Sequence, residues 1–217
     1  MKNIQQLICL VVMCMIIHKA HAQVPVREEP HHKPVLENDY IRLLDVHINA
    51  GDTTFYHVHA TPSVIVFISK STIGSQKLGE APSAANEVEP AQTSFVDYGT
   101  NPITHRVFNA GKNVFHVMDI ELVNKEPTTD SCDTLKNVTT TTNEKLVRVD
   151  KLELNDQQPF IINKCSYAHL LVCIAGGISA LAKSLKEGDF IFFNPNTSIS
   201  FSNNQHEKST CILLELK

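Results

Sequence analysis

Two histidines one residue apart, His57 and His59, stand in a short run that a turn at Gly51-Asp52 separates from the alternating stretch 40–48. Glycine followed by aspartate after an alternating run ends a strand, and the chain re-enters extended structure with the histidines on it. Side chains on a strand repeat every two residues, so both imidazoles project from one face. Paired imidazoles are poor packing material, because each carries polar nitrogens that need partners. A third histidine, His105, opens another strand-like run, Thr104-His105-Arg106-Val107-Phe108-Asn109. Three neutral imidazoles meeting inside a barrel would suit a divalent transition metal.

The spacing Gly51, five residues, His57-Val58-His59 resembles the first motif of the cupin family, a small antiparallel jelly-roll barrel. His105 followed after three residues by Asn109 resembles the second motif. The chain departs from the family pattern twice. Ser63 or Val64 stands where the first motif ends in glutamate, and Thr100-Asn101-Pro102 replaces the Pro-x-Gly ahead of the second histidine. The resemblance implies an all-β fold with His57, His59 and His105 as metal ligands. Fe2+ is the first choice, with Mn, Ni, Zn and Cu as alternatives. It also implies a pocket with Phe55, Ser63, Ile65, Phe67 and Met118 in its wall.

The rest of the chain supports β structure throughout. Val64-Ile65-Val66-Phe67-Ile68 is a continuous, largely β-branched core strand. The turn 109–113 leads into the long alternating run 114–122, where His116 falls in register with Met118 and Ile120, a position for a buried, hydrogen-bonded histidine. His47 shares its face with Asp45 rather than with Leu44, Val46 and Ile48, so it belongs on the rim. His31 and His32 lie in the polar, Pro-bearing stretch 23–35, read as extended surface chain. As neighbours they point to opposite sides, so at most one reaches a metal.

Residues 1–22 read as an export leader: Lys2, an apolar stretch around residues 8–17, and an Ala20-His21-Ala22 cleavage signal. Removing its two lysines takes the net charge from −4 to −6. No basic patch stands out, so nucleic acid is not an expected partner. No stretch is long enough to span a membrane once the leader is gone. The expected location is secreted or periplasmic, where disulfides persist. Cys132, Cys165, Cys173 and Cys211 allow three pairings, which the sequence leaves open.

The organisation expected is a barrel over 36–123, a Thr-rich linker over 124–145, and a second cupin-like unit over 146–217 that lacks metal ligands. Leu170-Leu171-Val172-Cys173-Ile174 resembles the core strand 64–68, a shift of 106 residues. That shift lays Asn163 over His57, Cys165 over His59 and His169 over Ser63. By the second motif's spacing, Ser200 or its neighbour stands in the place of His105. A slip of one residue would exchange the faces.

Three neutral ligands leave a divalent ion its full charge and open positions, which favours a small chelating anion. The functional expectation is an exported metal-binding cupin of dioxygenase type acting on such a compound. The alternative is a non-catalytic cupin that binds a sugar or organic acid. A sugar-isomerase-like activity is the weaker third reading, because those cupins keep the glutamate. A homodimer is compatible with any of these.

Overall fold

The computed structural model describes residues 23–124, 132, 135–155 and 157–217. The leader 1–22 and residues 125–131, 133 and 134 of the expected linker lie outside them. Within them the chain is all β apart from one 3₁₀ turn, Val26–Glu28, and forms four sheets.

Two sheets face each other to make the first barrel. One runs, in spatial order, Val24–Pro25, His57–His59, Ile103–Asn109, Ser71–Lys77 and Asn86–Val88. The other runs His32–Glu37, Ile41–Ile48, Phe115–Leu122, Ser63–Phe67 and Thr93–Val96. The second barrel repeats the plan with Thr139–Asn143, Val147–Leu154, Ser209–Leu216, Ala168–Ala175 and Phe190–Phe193 facing Phe160–Ile162, Ile199–Asn203, Ile178–Ala180 and Lys183–Leu185.

Alternation assigns each central strand two jobs. On Phe115–Leu122, Val117 faces the first barrel's interior with Leu44, Val46 and Ile48. Met118 and Ile120 face the other way, into a cluster shared with Val149, Leu170, Ile212 and Leu214 of the second unit. The two barrels are therefore joined back to back through a wide apolar seam. Inter-domain motion is the default only where such an interface is small or polar. Burying each of these aliphatic side chains contributes roughly 1.5–3 kcal/mol, so the pair behaves as one body.

The threonine run of the expected linker is a strand, Thr139–Asn143, paired along the edge of Val147–Leu154. Four consecutive β-branched residues suit extended backbone whatever their polarity. Nor is the stretch 23–35 loose: Val24–Pro25 pairs with His57 and Val58, and His32–Glu37 pairs with Ile41–Ile48. Cys132 is bridged to Cys165, while Cys173 and Cys211 are buried free thiols on paired strands.

Candidate metal centre

His57 and His59 project from one face of their strand, and His57 lies directly across from His105 in the antiparallel register. The ring centroids stand 5.0 Å apart for His57–His59, 4.8 Å for His57–His105 and 5.0 Å for His59–His105. His57 Nδ1 is 2.9 Å from the carbonyl oxygen of Phe55. A carbonyl can only accept, so Nδ1 carries the hydrogen and Nε2 presents a bare lone pair. His57 Nε2, His105 Nε2 and His59 Nδ1 are buried without a hydrogen-bond partner among the described residues.

Burial, reinforced by the neighbouring imidazoles, holds these histidines neutral. It pushes His57 down to about 3, with His32 and His105 adding to the effect. His59 falls to about 2 from burial, then His105 and His57. His105 falls to about 4 from burial, then His32 and Lys77. Neutral imidazoles with unsatisfied nitrogens around one cavity fit a divalent transition metal, which takes the neutral ring as ligand.

The histidines line a cavity of about 120 Å³ whose wall includes Ile65, Phe67, Val107, Phe115 and Tyr98. Tyr98 stacks beside His59 at 4.7 Å, and burial with the nearby Asp119 raises its phenol to about 12. Asp119 is the acid of the wall. Its Oδ2 lies 3.5 Å from His59 Nδ1, too long for a hydrogen bond, and both its oxygens lack a hydrogen-bond partner among the described residues. Burial first, and Glu121 second, push its carboxyl up to about 7.

Of the residues expected in the wall, Ile65 and Phe67 face the cavity. Ser63 is fully buried but donates its hydroxyl to the Thr61 carbonyl at 3.1 Å and does not line the cavity. Phe55 is 56% exposed, on the approach to the histidine strand. Met118 lies in the seam between the barrels, because strand alternation turns it away from Val117. His47 is exposed on the rim as expected of its face, and stacks on half-buried His116 at 4.0 Å. His116 is hydrogen-bonded, to Asp45 at 2.8 Å, but at the seam's edge rather than in a core.

The sequence reading missed three residues. His32 is not on a solvated stretch: it is 6% exposed, with its ring 4.6 Å from that of His57 and 6.3 Å from that of His59. Its neighbour His31 points outward, as adjacent residues on extended chain must. Glu29 is buried below them and bonded to both rings. Asp119 sits in an alternating apolar run where an inward acid was the available signal. For His32 and Glu29, the spacing Glu-x-x-His was the one trace.

No sequence-family profile matches the chain, and no curated protein matches it in sequence. Its likenesses are of structure. The pirin YhhW of Escherichia coli in complex with nickel(II) aligns with TM-score 0.63 and 14% identity over 89% of this chain and 97% of that one. AerE from Microcystis aeruginosa aligns at 0.61 and 10% identity, over 87% and 98%. Salicylate 1,2-dioxygenase from Pseudoaminobacter salicylatoxidans, solved as adducts with gentisate, aligns at 0.57 and 7% identity, over 82% and 68%. At such identities the likeness is one of fold. The chain is a cupin-fold protein, built of two jelly-roll units of which the first holds a histidine cluster suited to a divalent metal.

Proposed function

We propose that the chain is an exported, metal-dependent cupin enzyme of dioxygenase type, acting on a small chelating anion in the first barrel. The observation that carries this reading is the set of buried, unpartnered imidazole nitrogens at the head of a small, mostly apolar cavity. A divalent transition metal, Fe2+ by preference, would supply Lewis acidity and, as iron, reactivity toward O2. The chain's own residues then bind and orient the substrate. Ile65, Phe67 and Phe115 exclude water and fit an apolar body, and a volume of about 120 Å³ admits only a small one. Tyr98, held protonated, offers a phenol hydrogen at the same wall. The gentisate adducts of the salicylate dioxygenase make hydroxylated aromatic acids the first substrates to try.

Export is supported by the leader pattern at 1–22 and by the Cys132–Cys165 bridge, which suits an oxidising compartment. N-terminal sequencing of the functional protein should find Gln23 first, and a chain still starting at Met1 would count against export.

The test of the activity is elemental analysis of the protein purified from its own compartment, followed by oxygen uptake with salicylate and gentisate after loading with Fe2+. Stoichiometric metal with oxygen consumption supports the reading. Stoichiometric metal with substrate binding but no turnover replaces the enzyme by a small-molecule binding module. Absence of metal, or metal retained in both His57→Ala and His105→Ala, removes the site.

A further inference from the structure

The first barrel lacks the glutamate of its motif, yet a buried carboxylate lies close behind the histidine cluster. We propose that His32 is a fourth metal ligand and that Glu29 supplies, through it, the negative charge a ligating glutamate would have brought. This rests on the metal site proposed above and specifies how that site is completed.

Position comes first. The N-terminal segment crosses from one sheet of the barrel to the other: Val24–Pro25 pairs beside His57, and His32 then opens a strand of the facing sheet. The crossing carries the His32 ring over the cavity wall that His57 and His59 occupy. One ligating atom each from His32, His57 and His59 lie within 4.8 Å of one another. Two nitrogens at ~2.0–2.1 Å from one ion can be no more than about 4.2 Å apart, so a small rotation of the rings closes the set. His105, directly opposite His57 on the adjoining strand, brings its ring to 4.8 Å from that of His57 and 5.0 Å from that of His59.

Orientation comes second. His32 Nδ1 lies 2.6 Å from Glu29 Oε2. Glu29 also accepts from the His31 backbone N–H at 2.8 Å and the Phe55 N–H at 3.1 Å, and meets His31 Nδ1 at 2.9 Å. Four contacts at a carboxylate only 1% exposed over-determine its place. Both of its oxygens already accept from backbone N–H groups, and a carboxylate in that accepting role makes Nδ1 the hydrogen-bearing nitrogen of His32 and leaves Nε2 as the lone pair for the cavity. Metal-bound histidines commonly donate their other N–H to a carboxylate in this manner, which fixes the ring and raises its basicity.

The consequence for function is a redistribution of charge. A ligating glutamate would occupy a coordination position and cancel one charge at the ion. Glu29 lies one side chain further out, behind the His32 ring, so the cavity keeps more of its attraction for an anion while the ion is still compensated. The bonds from His31 and Phe55 would by themselves hold Glu29 in place and tie the N-terminal segment to the chain at Phe55. That role does not require the inward ring of His32, and metal coordination separates the two explanations.

The experiment loads the full-length, chelator-stripped protein with nickel(II) alone. X-ray absorption at the nickel edge counts imidazoles, and chelator competition gives Kd. The wild type should show four imidazoles. His32→Gln should show three and bind roughly 10–100-fold more weakly, while Glu29→Gln should keep four and lose about tenfold. Thermal unfolding of the stripped proteins checks that each variant is folded. Three imidazoles in the wild type overturn the proposal without any variant being needed, as does a folded His32→Gln with unchanged Kd. No nickel in the wild type, or unchanged binding in His57→Ala, instead removes the underlying metal site.

Discussion

The two barrels share a frame and differ in what they enclose. In the first, buried Asn109 donates to the carbonyls of Ile48 and Asn113 and accepts from the Gly111 N–H and the Ser71 hydroxyl. In the second, Asn203 donates to Leu154 and Glu207 and accepts from the Gln205 N–H and the Ser209 hydroxyl. With these two asparagines superposed, the cross-strand pair His57–His105 falls on Ile162–Ile199. The second interior is filled by Leu152, Leu171, Phe193, Phe201 and Leu213, and its buried imidazole, His169, stands beside Glu215 at 3.8 Å rather than at the isoleucine pair. A shared asparagine therefore marks the architecture, and the pair beside it marks the chemistry. Of the histidine-bearing second motif, its asparagine is the part that the fold needs.

The largest expected effect follows from removing a ligand. His57→Ala should weaken divalent-metal binding by at least about a thousandfold, about 4 kcal/mol, because the imidazole at the centre of the set is gone. Nickel competition measures it. A loss below tenfold would show that the histidine pair is not what separates the two interiors.

Exchanging the interiors should cost less. Ile199→His places an imidazole in an apolar core that offers it no partner, at a cost of about 1–3 kcal/mol. The reciprocal His105→Ile removes a buried nitrogen that lacks a partner and should stabilise the metal-free protein by about 1 kcal/mol. Urea unfolding of the stripped proteins checks both. Equal destabilisation by the two changes would mean that the first interior is packed around its histidines as tightly as the second around its isoleucines.

Much of this contrast is readable in the chain and some is not. Strand alternation located the barrel, the three histidines and the inward Ile65 and Phe67, because a period of two is local information. The register of the second barrel is harder. The shift of 106 holds for Ile41–Ile48 and Ser63–Phe67, which fall on Val147–Leu154 and the strand of His169, and Ser63 and His169 both face a glutamate, Glu121 and Glu215. It fails at the rim, because the connection after Leu154 is one residue shorter than that after Ile48. The matching residues are thus Ile162 and Ile199, each one place from Asn163 and Ser200, and the slip exchanges a buried face for a polar one. Cys165, laid over His59 by the same shift, belongs to the bridge with Cys132. His32 was unreadable for another reason. A strand reading His-Lys-Pro-Val-Leu-Glu at a sheet edge has no apolar alternation, and only tertiary closure turns its first residue inward.

Where the barrels meet, a middling effect is expected at Gly188. Its φ of +82° belongs to the left-handed region, and a Cβ there would stand 2.8 Å from Cε1 of His116. That ring is held by Asp45 and stacked on His47, so it cannot simply swing aside. Gly188→Ala should cost about 1–2 kcal/mol, read as a lower urea midpoint with metal affinity unchanged. A fall in metal affinity would show that the seam and the cavity are coupled.

The smallest effect concerns the same corner. Asp45, His47 and His116 of the first barrel occupy the register positions of Lys151, Glu153 and Thr210 in the second. Only the first set forms a compact acid–imidazole cluster, with His116 Nε2 at 2.8 Å and His47 Nε2 at 3.1 Å from one Asp45 oxygen. Burial pushes the Asp45 carboxyl up, but the His116 bond and the charges of His47 and His116 outweigh it, and the carboxyl lies below its ordinary value. A carboxyl depressed on folding contributes stability that is present above its unfolded value near pH 4 and is lost as pH falls through the folded value. Asp45 is half-buried and solvent-screened, so the contribution is about 0.5 kcal/mol. Asp45→Asn should lower stability by that amount at pH 6 and by nothing at pH 2.5, measured by urea unfolding at both values. The corresponding Lys151→Met should change neither, since its ammonium meets Glu153 at 3.7 Å on the surface. An Asp45→Asn loss that persists at pH 2.5 would assign the effect to packing against Gly188 rather than to the ionised pair.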